Sequence, residues 1–214
     1  MATLATAVLP RDEFVLAETL ASVPDASFEC EKIAETGRDT FLPLVWAGAS
    51  DLDRLDAAVR DDPTTENVEL LSAFDDEHLY RMEWVDRVEL VIRIVASRGT
   101  ILDATTNDDN WLLRVLYPSS DGLNETKGYC EDHGVSLTVR SIREMTGDPS
   151  GRYGLTEEQY EALTIACERG YFEVPRKANL DDLAEEMGVS HQALSERIRR
   201  GTEALVTDAL LVRH

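Results

Sequence analysis

Several things are scarce in this chain, and each scarcity excludes something. Cys30, Cys130 and Cys167 are the only cysteines in 214 residues. Their odd number and wide spacing fit neither a disulfide framework nor a metal site, and suit a reducing compartment. No run of 18 apolar residues occurs, so no membrane-spanning helix is expected. Met1 to Arg11 lacks the basic start and apolar core of a secretion signal, and a cytoplasmic location is expected. There is no glycine-rich phosphate loop, His-Glu-x-x-His, Cys-x-x-Cys or nucleophile elbow. His78, His133, His191 and His214 do not cluster with cysteine. The expectation is therefore a non-enzyme with no catalytic residue, no metal and no cofactor.

Lysine is scarcer still. Lys32, Lys127 and Lys177 are the only three among 21 basic residues, set against 42 acidic ones for a formal net charge of −21. A disordered acidic chain would be poor in apolar residues, whereas this one is 43% hydrophobic with clear periodicity, so it should fold. Such a charge opposes compaction in ordinary salt. Near-molar salt shrinks the Debye length to ~3 Å and removes most of the repulsion. The composition is that of a protein from a salt-filled cytoplasm, the alternative being an unusually acidic protein of an ordinary cell. On the same reading the pairs Asp61-Asp62, Asp75-Asp76, Asp108-Asp109 and Asp181-Asp182 are solvated acids and not cation sites. The charge is uneven: residues 152–214 hold twelve acidic and eight basic residues, so most of the excess lies before them.

The segment Thr146 to Gly154 gathers three glycines and a proline without apolar period and reads as a boundary. The expected division is an α+β regulatory or dimerisation domain over 1–146, a linker over 147–154 and an all-α domain over 155–214. Before the boundary, strand and helix patterns alternate. Thr3–Leu9 is a strand, a helix follows with Phe14, Leu16, Ala17, Leu20 and Ala21, and Ser27–Ala34 and Phe41–Ala47 are strands. Asp51–Arg60 is a helix and Val68–Phe74 a strand. His78–Trp84 is a strand, and Val85–Ser97 a helix with Val88, Val91, Ile92 and Val95 inward. Thr100–Thr106 and Trp111–Tyr117 form a hairpin around Asn107 to Asn110, Asp121–His133 is a helix, and Val135–Ile142 a strand. Phe41–Asp51 echoes Trp111–Asp121 at an offset of 70. Each half, 1–76 and 77–146, then reads β-α-β-β-α-β, the split βαβ pattern. This pattern admits two fused ferredoxin-like or ACT-like halves, or one α+β domain whose internal likeness is coincidental.

The last sixty residues are more specific. Thr156 and Gln159 make a capping box, with Leu155 and Tyr160 placed as a hydrophobic staple. Tyr160, Leu163, Thr164 and Cys167 share one helical face, which stops at Gly170. Pro175 interrupts the connector that follows. A second helix runs from Leu180 to Met187 behind Asn179. Gly188-Val189-Ser190 then makes a turn in which glycine supplies the left-handed backbone and Ser190 caps a third helix. Ala184 is small where helices approach, and Leu194, Ile198 and Leu205 form the third helix's buried stripe. These features in register are those of a helix-turn-helix.

With that stripe inward, His191, Gln192, Ser195, Glu196 and Arg199 point outward from a recognition helix over about 190–206. This is the end that lies in the major groove in such motifs, and glutamine, arginine and glutamate can each read base edges there. Ser190, Arg197, Arg200, Arg176 and Lys177 suit phosphates. Taken singly, each is also an ordinary solvated position, and Glu196 a helical partner for Arg200.

Residues 155–211, through Leu-Ala-Glu-Glu-Met-Gly-Val-Ser to Ala-Leu-Ser-Glu-Arg-Ile-Arg-Arg-Gly, resemble the helix-turn-helix of the haloarchaeal bacterio-opsin activator family, and less closely the promoter-reading region of bacterial sigma factors. The preceding part, with its Tyr80–Trp84 strand and Trp111-Leu-Leu-Arg-Val hairpin, is similar to the domain found before that helix-turn-helix. The resemblance implies a haloarchaeal transcription regulator that binds double-stranded DNA. Larger members carry sensor domains in front, and this sequence departs from them by having none, so direct light, oxygen or redox sensing is not expected here. A homodimer is expected, since paired recognition helices match two half-sites. A protein partner through the N-terminal domain fits the pattern too. The alternatives are a protein-interaction adaptor that docks to another regulator or polymerase, and a regulator sensing a small molecule through its N-terminal domain.

Overall fold

The computed structural model describes residues 1–35, 41–107, 109–145 and 154–207. The chain divides into two compact units, Met1–Glu144 and Met145–His214. The expected linker falls almost wholly on 146–153, outside the described residues.

The first unit follows the expected order element by element. It runs β1 (Ala2–Pro10), α1 (Ala17–Ser22), β2 (Ser27–Glu35), β3 (Phe41–Gly48), α2 (Leu52–Asp61), β4 (Thr65–Ala73), β5 (Glu77–Trp84), α3 (Glu89–Ala96), β6 (Thr100–Thr106), β7 (Asn110–Tyr117), α4 (Ser120–His133) and β8 (Thr138–Met145). Period-two burial explains the strands: in β3, Phe41, Pro43, Val45 and Ala47 are buried while their neighbours are half-buried. Asp51 starts α2 by accepting from Arg54 N at 3.0 Å. Gly134, at φ 71°, ends α4. The β6–β7 hairpin closes with Asn107 N donating to the Asn110 carbonyl at 2.9 Å.

All eight strands join one sheet in the order β4-β5-β3-β2-β6-β7-β1-β8. Read inward from its two edges, the order is β4-β5-β3-β2 on one side and β8-β1-β7-β6 on the other. The two sides match position for position if β5 and β1 trade places. The halves expected from the sequence are therefore not self-contained: each contributes its first strand to the other's side. Pro10 pairs with Asn110 and Thr3 with Tyr117 on one side, Phe41 with Trp84 and Val45 with Tyr80 on the other. The sides meet where Glu29 and Cys30 pair with Thr105 and Ala104. α1 packs beside α2, and α3 beside α4.

The four helices share one core with one face of the sheet, contributing Leu20, Leu55, Val59, Leu90, Val91, Ile94, Leu123 and Cys130. At its centre Phe14 lies edge-on to Trp84 (5.8 Å between centroids) and Trp111 (5.4 Å), and Phe28 stacks on Trp111 at 6.3 Å. Neither buried indole N–H has a hydrogen-bond partner among the described residues. Burial holds the Cys130 thiol up at about 11 and raises Cys30 further, so neither is poised for redox chemistry.

Three expectations are corrected. Asp62 is not a solvated acid but 3% exposed. Its carboxylate accepts from the amide and hydroxyl of Thr19 (2.9 and 2.7 Å) and of Thr64 (3.0 and 2.6 Å), and so caps α1 from the end of α2. The first helix also begins later than its apolar spacing suggests. Phe14, Val15 and Leu16 are buried ahead of it, and Leu16 is left-handed (φ 59°) with its amide on Thr64 Oγ1 at 2.9 Å. The inward face of α3 is Leu90, Val91 and Ile94, whereas Val95 is exposed. Val85 still bonds strand-like to the Thr64 carbonyl, and Arg87 turns the chain at φ 55°, so the helix starts only at Glu89 and its phase shifts.

Candidate nucleic-acid interface

Among its described residues the second unit has three helices, α5 (Glu157–Glu168), α6 (Leu180–Met187) and α7 (His191–Val206). Their starts are fixed by side chains close in sequence. Thr156 Oγ1 accepts from Gln159 N at 3.3 Å while Gln159 Oε1 accepts from Thr156 N at 3.1 Å. Asn179 Oδ1 takes the amides of Asp181 (2.9 Å) and Asp182 (3.0 Å), and Asp182 returns the bond to Asn179 N at 3.2 Å. Ser190 Oγ accepts from Ala193 N at 3.2 Å and opens α7. Between α6 and α7, Gly188 is left-handed at φ 65°, and Val189 N reaches back to the Ala184 carbonyl at 3.0 Å.

The core is small: Ala162, Ala166, Leu183, Ala184, Leu194 and Ile198, with Leu163, Ile165, Tyr171, Met187 and Val189 packed against it. The expected stripe of α5 is corrected here. Its buried members are Ala162 and Ala166, and Cys167 is exposed. Side-chain size misleads because α5 and α7 approach closely. A Cβ on buried Gly201 would come within 2.7 Å of Leu163 Cδ1, so the contact is shared between small residues and one leucine. Leu205 is only half-buried. Among the described residues no helix is long and apolar enough to cross a membrane.

With Leu194 and Ile198 inward, α7 presents a continuous outer face. His191, Gln192, Ser195 and Arg199 are exposed, and Glu196 is half-buried. His191 Nε2 lies 3.8 Å from Asp181 Oδ1, which brings the starts of α6 and α7 together. The other sequence-selected cations already have neighbours. Arg200 sits 3.5 Å from Glu196 Oε2, and Lys177 Nζ 2.7 Å from Glu173 Oε2. Arg176 lies over the Tyr171 ring at 4.6 Å. Glu158's carboxyl is held below its usual range by its own helix-start amide, by Thr156 and, more weakly, by the charge of half-buried Arg197. Arg199 has no ion pair among the described residues. A feature passed over in the sequence is Phe172 and Val174, both exposed in the α5–α6 connector. Their lack of helical period around Pro175 was the available signal. Arg169, bonded through two nitrogens to Glu186, ties the ends of α5 and α6 together.

Comparison with known families agrees with this geometry. Residues 155–207 match the model of a helix-turn-helix DNA-binding domain. Residues 7–155 match that of the GAF and HTH_10 associated domain, so the match extends over more than half of the chain. The chain belongs to the bacterio-opsin activator (Bat) type family of helix-turn-helix regulators. Over 201 residues, 87% of this chain, it is 29% identical to the bacterioopsin transcriptional activator of Halobacterium salinarum. Over 53 residues, a quarter of the chain, it is 45% identical to the dimethyl sulfoxide reductase transcriptional activator of Haloferax volcanii. Its Halobacterium salinarum counterpart is 40% identical over 57 residues. These alignments span only 25%, 25% and 29% of the relatives' own lengths.

Proposed function

We propose that this chain is a sequence-specific DNA-binding transcription regulator of a halophilic archaeon, with α7 in the major groove. The outer face of α7 carries the reading: His191, Gln192, Ser195, Glu196 and Arg199, held toward solvent by buried Leu194 and Ile198. Gln192 is suited to adenine and Arg199 to guanine. Ser190, Arg197, Arg200, Arg176 and Lys177 serve the phosphates. Except for Ser190 they leave surface partners to do so, at about 0–1 kcal/mol each for the ion pairs. Domain 1–146 regulates or dimerises, 147–154 links, and 155–214 reads DNA.

Duplexes recovered by the full chain from a random-sequence pool test this. Arg199→Ala and Gln192→Ala should each cost about 5- to 150-fold in affinity and relax the preference at one base pair. Unchanged affinity and preference in both would sink the proposal and favour a protein adaptor. Near-molar salt leaves little counterion release to drive binding. A shallow dependence on potassium chloride is therefore expected, and steep weakening well below one molar would contradict it.

For the first unit we infer two interlocked ferredoxin-like or ACT-like halves. What supports this is that β3-α2-β4 brackets β5, and β7-α4-β8 brackets β1, each a split βαβ with an inserted strand. A small-molecule-sensing regulator is the second reading. It is favoured by a cavity of about 280 Å³ between α3 and α4, lined by Ser97, Arg98, Ser119, Asp121 and Glu125 among others. A panel of small zwitterions and carboxylates that leaves both thermal stability and DNA affinity unmoved would remove it.

A further inference from the structure

The connector between α5 and α6 folds into a compact bow. Gly170, at φ 74°, offers its carbonyl to two amides, Glu173 N at 3.2 Å and Lys177 N at 3.1 Å. A Cβ there would lie 3.0 Å from both the Glu173 carboxylate and Lys177 Cβ, so the closure relies on glycine. Tyr171 anchors the bow against the core, meets Phe172 edge-on at 5.2 Å and carries Arg176 on its ring. Lys177 and Glu173 neutralise one another. With its charges turned onto itself, the bow presents apolar groups outward: Phe172 is 51% exposed, Val174 is 99% exposed, and Pro175 follows.

Its place in the unit gives this tip a direction. Pro175 is four residues from Asn179, the cap of α6, a reach of at most ~14 Å. Asp181 in the first turn of α6 touches His191, the first residue of α7. The tip is therefore tethered within about 14 Å of the cap of α6, whose first turn meets the end of the helix that reads the groove.

We propose that the Phe172–Pro175 tip is a wedge for duplex DNA. It enters the minor groove beside the site read by α7 and partly unstacks a base step. The inference rests on the DNA-reading function proposed above. Phenylalanine and proline are among the apolar wedges that kink DNA in this way, by 20–90°. The chemistry also suits the chain's charge. A contact made by apolar groups with base faces releases no counterions and keeps its strength in salt that spends the lysine and arginine contribution. On a chain of net charge −21, this contact adds to the base contacts of α7 under the salt conditions where phosphate contacts contribute least.

The test uses the full-length chain and a duplex that it recovers from a random-sequence pool, end-labelled with a fluorophore pair, in 2 M potassium chloride. Phe172→Ser/Val174→Ser should recover the same sequence but bind about tenfold more weakly. It should also lose both the energy-transfer change on binding and the permanganate reactivity of thymines beside the α7 site. Val174→Ser alone alters only a fully exposed side chain, so folding cannot explain its loss of bending. Val206→Ser, another exposed apolar position in the same unit, should match wild type. Serine variants that bind and bend as wild type would overturn the wedge and assign the tip to a protein surface. So would wild type that binds without bending or thymine exposure. If Gln192→Ala relaxes the preference while the serine variants change nothing, the DNA-reading function stands and the wedge fails. If wild type recovers no sequence, both fail.

Discussion

The two units bury different things. The first is filled by Phe14, Phe28, Trp84 and Trp111, brought together from the segment between β1 and α1 and from β2, β5 and β7, and it encloses the carboxylate of Asp62. The second is filled by alanine and leucine, and its helices start on Thr156, Asn179 and Ser190, each bonding within three residues. One unit is specified by partners far apart in sequence, the other by neighbours. Damage to the first should therefore be larger and less local than damage to the second.

The largest expected effect is at Trp111. Trp111→Ala should cost about 3–5 kcal/mol, read as an earlier denaturant midpoint for loss of near-ultraviolet ellipticity. Trp111→Phe should cost far less, because the lost indole N–H has no acceptor among the described residues. Asp62→Ala comes next, at about 3 kcal/mol, since it orphans the amides of Thr19 and Thr64 and the Thr64 hydroxyl at once, while the Thr19 hydroxyl keeps the Ala58 carbonyl. A midpoint within error of wild type would show that water replaces the carboxylate.

In the second unit Gly201→Leu should cost about 1–3 kcal/mol by forcing α5 from α7. Gly201→Ala should be close to neutral, because the clash is with the mobile end of Leu163 and alanine favours the helix. Should both substitutions be silent, the two helices do not pack as closely as described. Asn179→Ala should remove about 1 kcal/mol, measurable as faster amide exchange in α6. The smallest effect concerns Asp56. Its carboxyl is held below the usual range by Arg60 first and also by the Tyr80 hydroxyl. Its contribution is thus whole above about pH 4 and fades as pH falls through the lowered value. Asp56→Asn should flatten that acid limb by no more than about 1 kcal/mol.

The same contrast explains what could be read in the sequence. Caps, the Gly188 turn and the Leu194–Ile198 stripe act over three or four residues, so the helix-turn-helix and its outer face were legible. The order of strands and helices in the first unit was legible too, because alternation at period two is local. Which strand lies beside which was not, since nothing near β1 says that its neighbours are β7 and β8 rather than β3 and β4. Asp62 was misread for a related reason: its partner Thr19 is 43 residues away, and Asp-Asp in an acidic chain looks like solvated surface. The phase of α3 was lost to a left-handed residue, Arg87, where the sequence shows no glycine.

The trade of β1 and β5 has a consequence for biosynthesis. Pro10 pairs with Asn110, so β1 must wait during synthesis for about a hundred further residues before its neighbour exists. At translation speeds of about 5–20 residues per second, that is roughly 5–20 s in which an apolar strand has no place in its sheet. The opposite side can close first, because β2, β3, β4 and β5 are all made by residue 84. The nascent chain thus lays down a finished platform before β1 can be folded onto the rest.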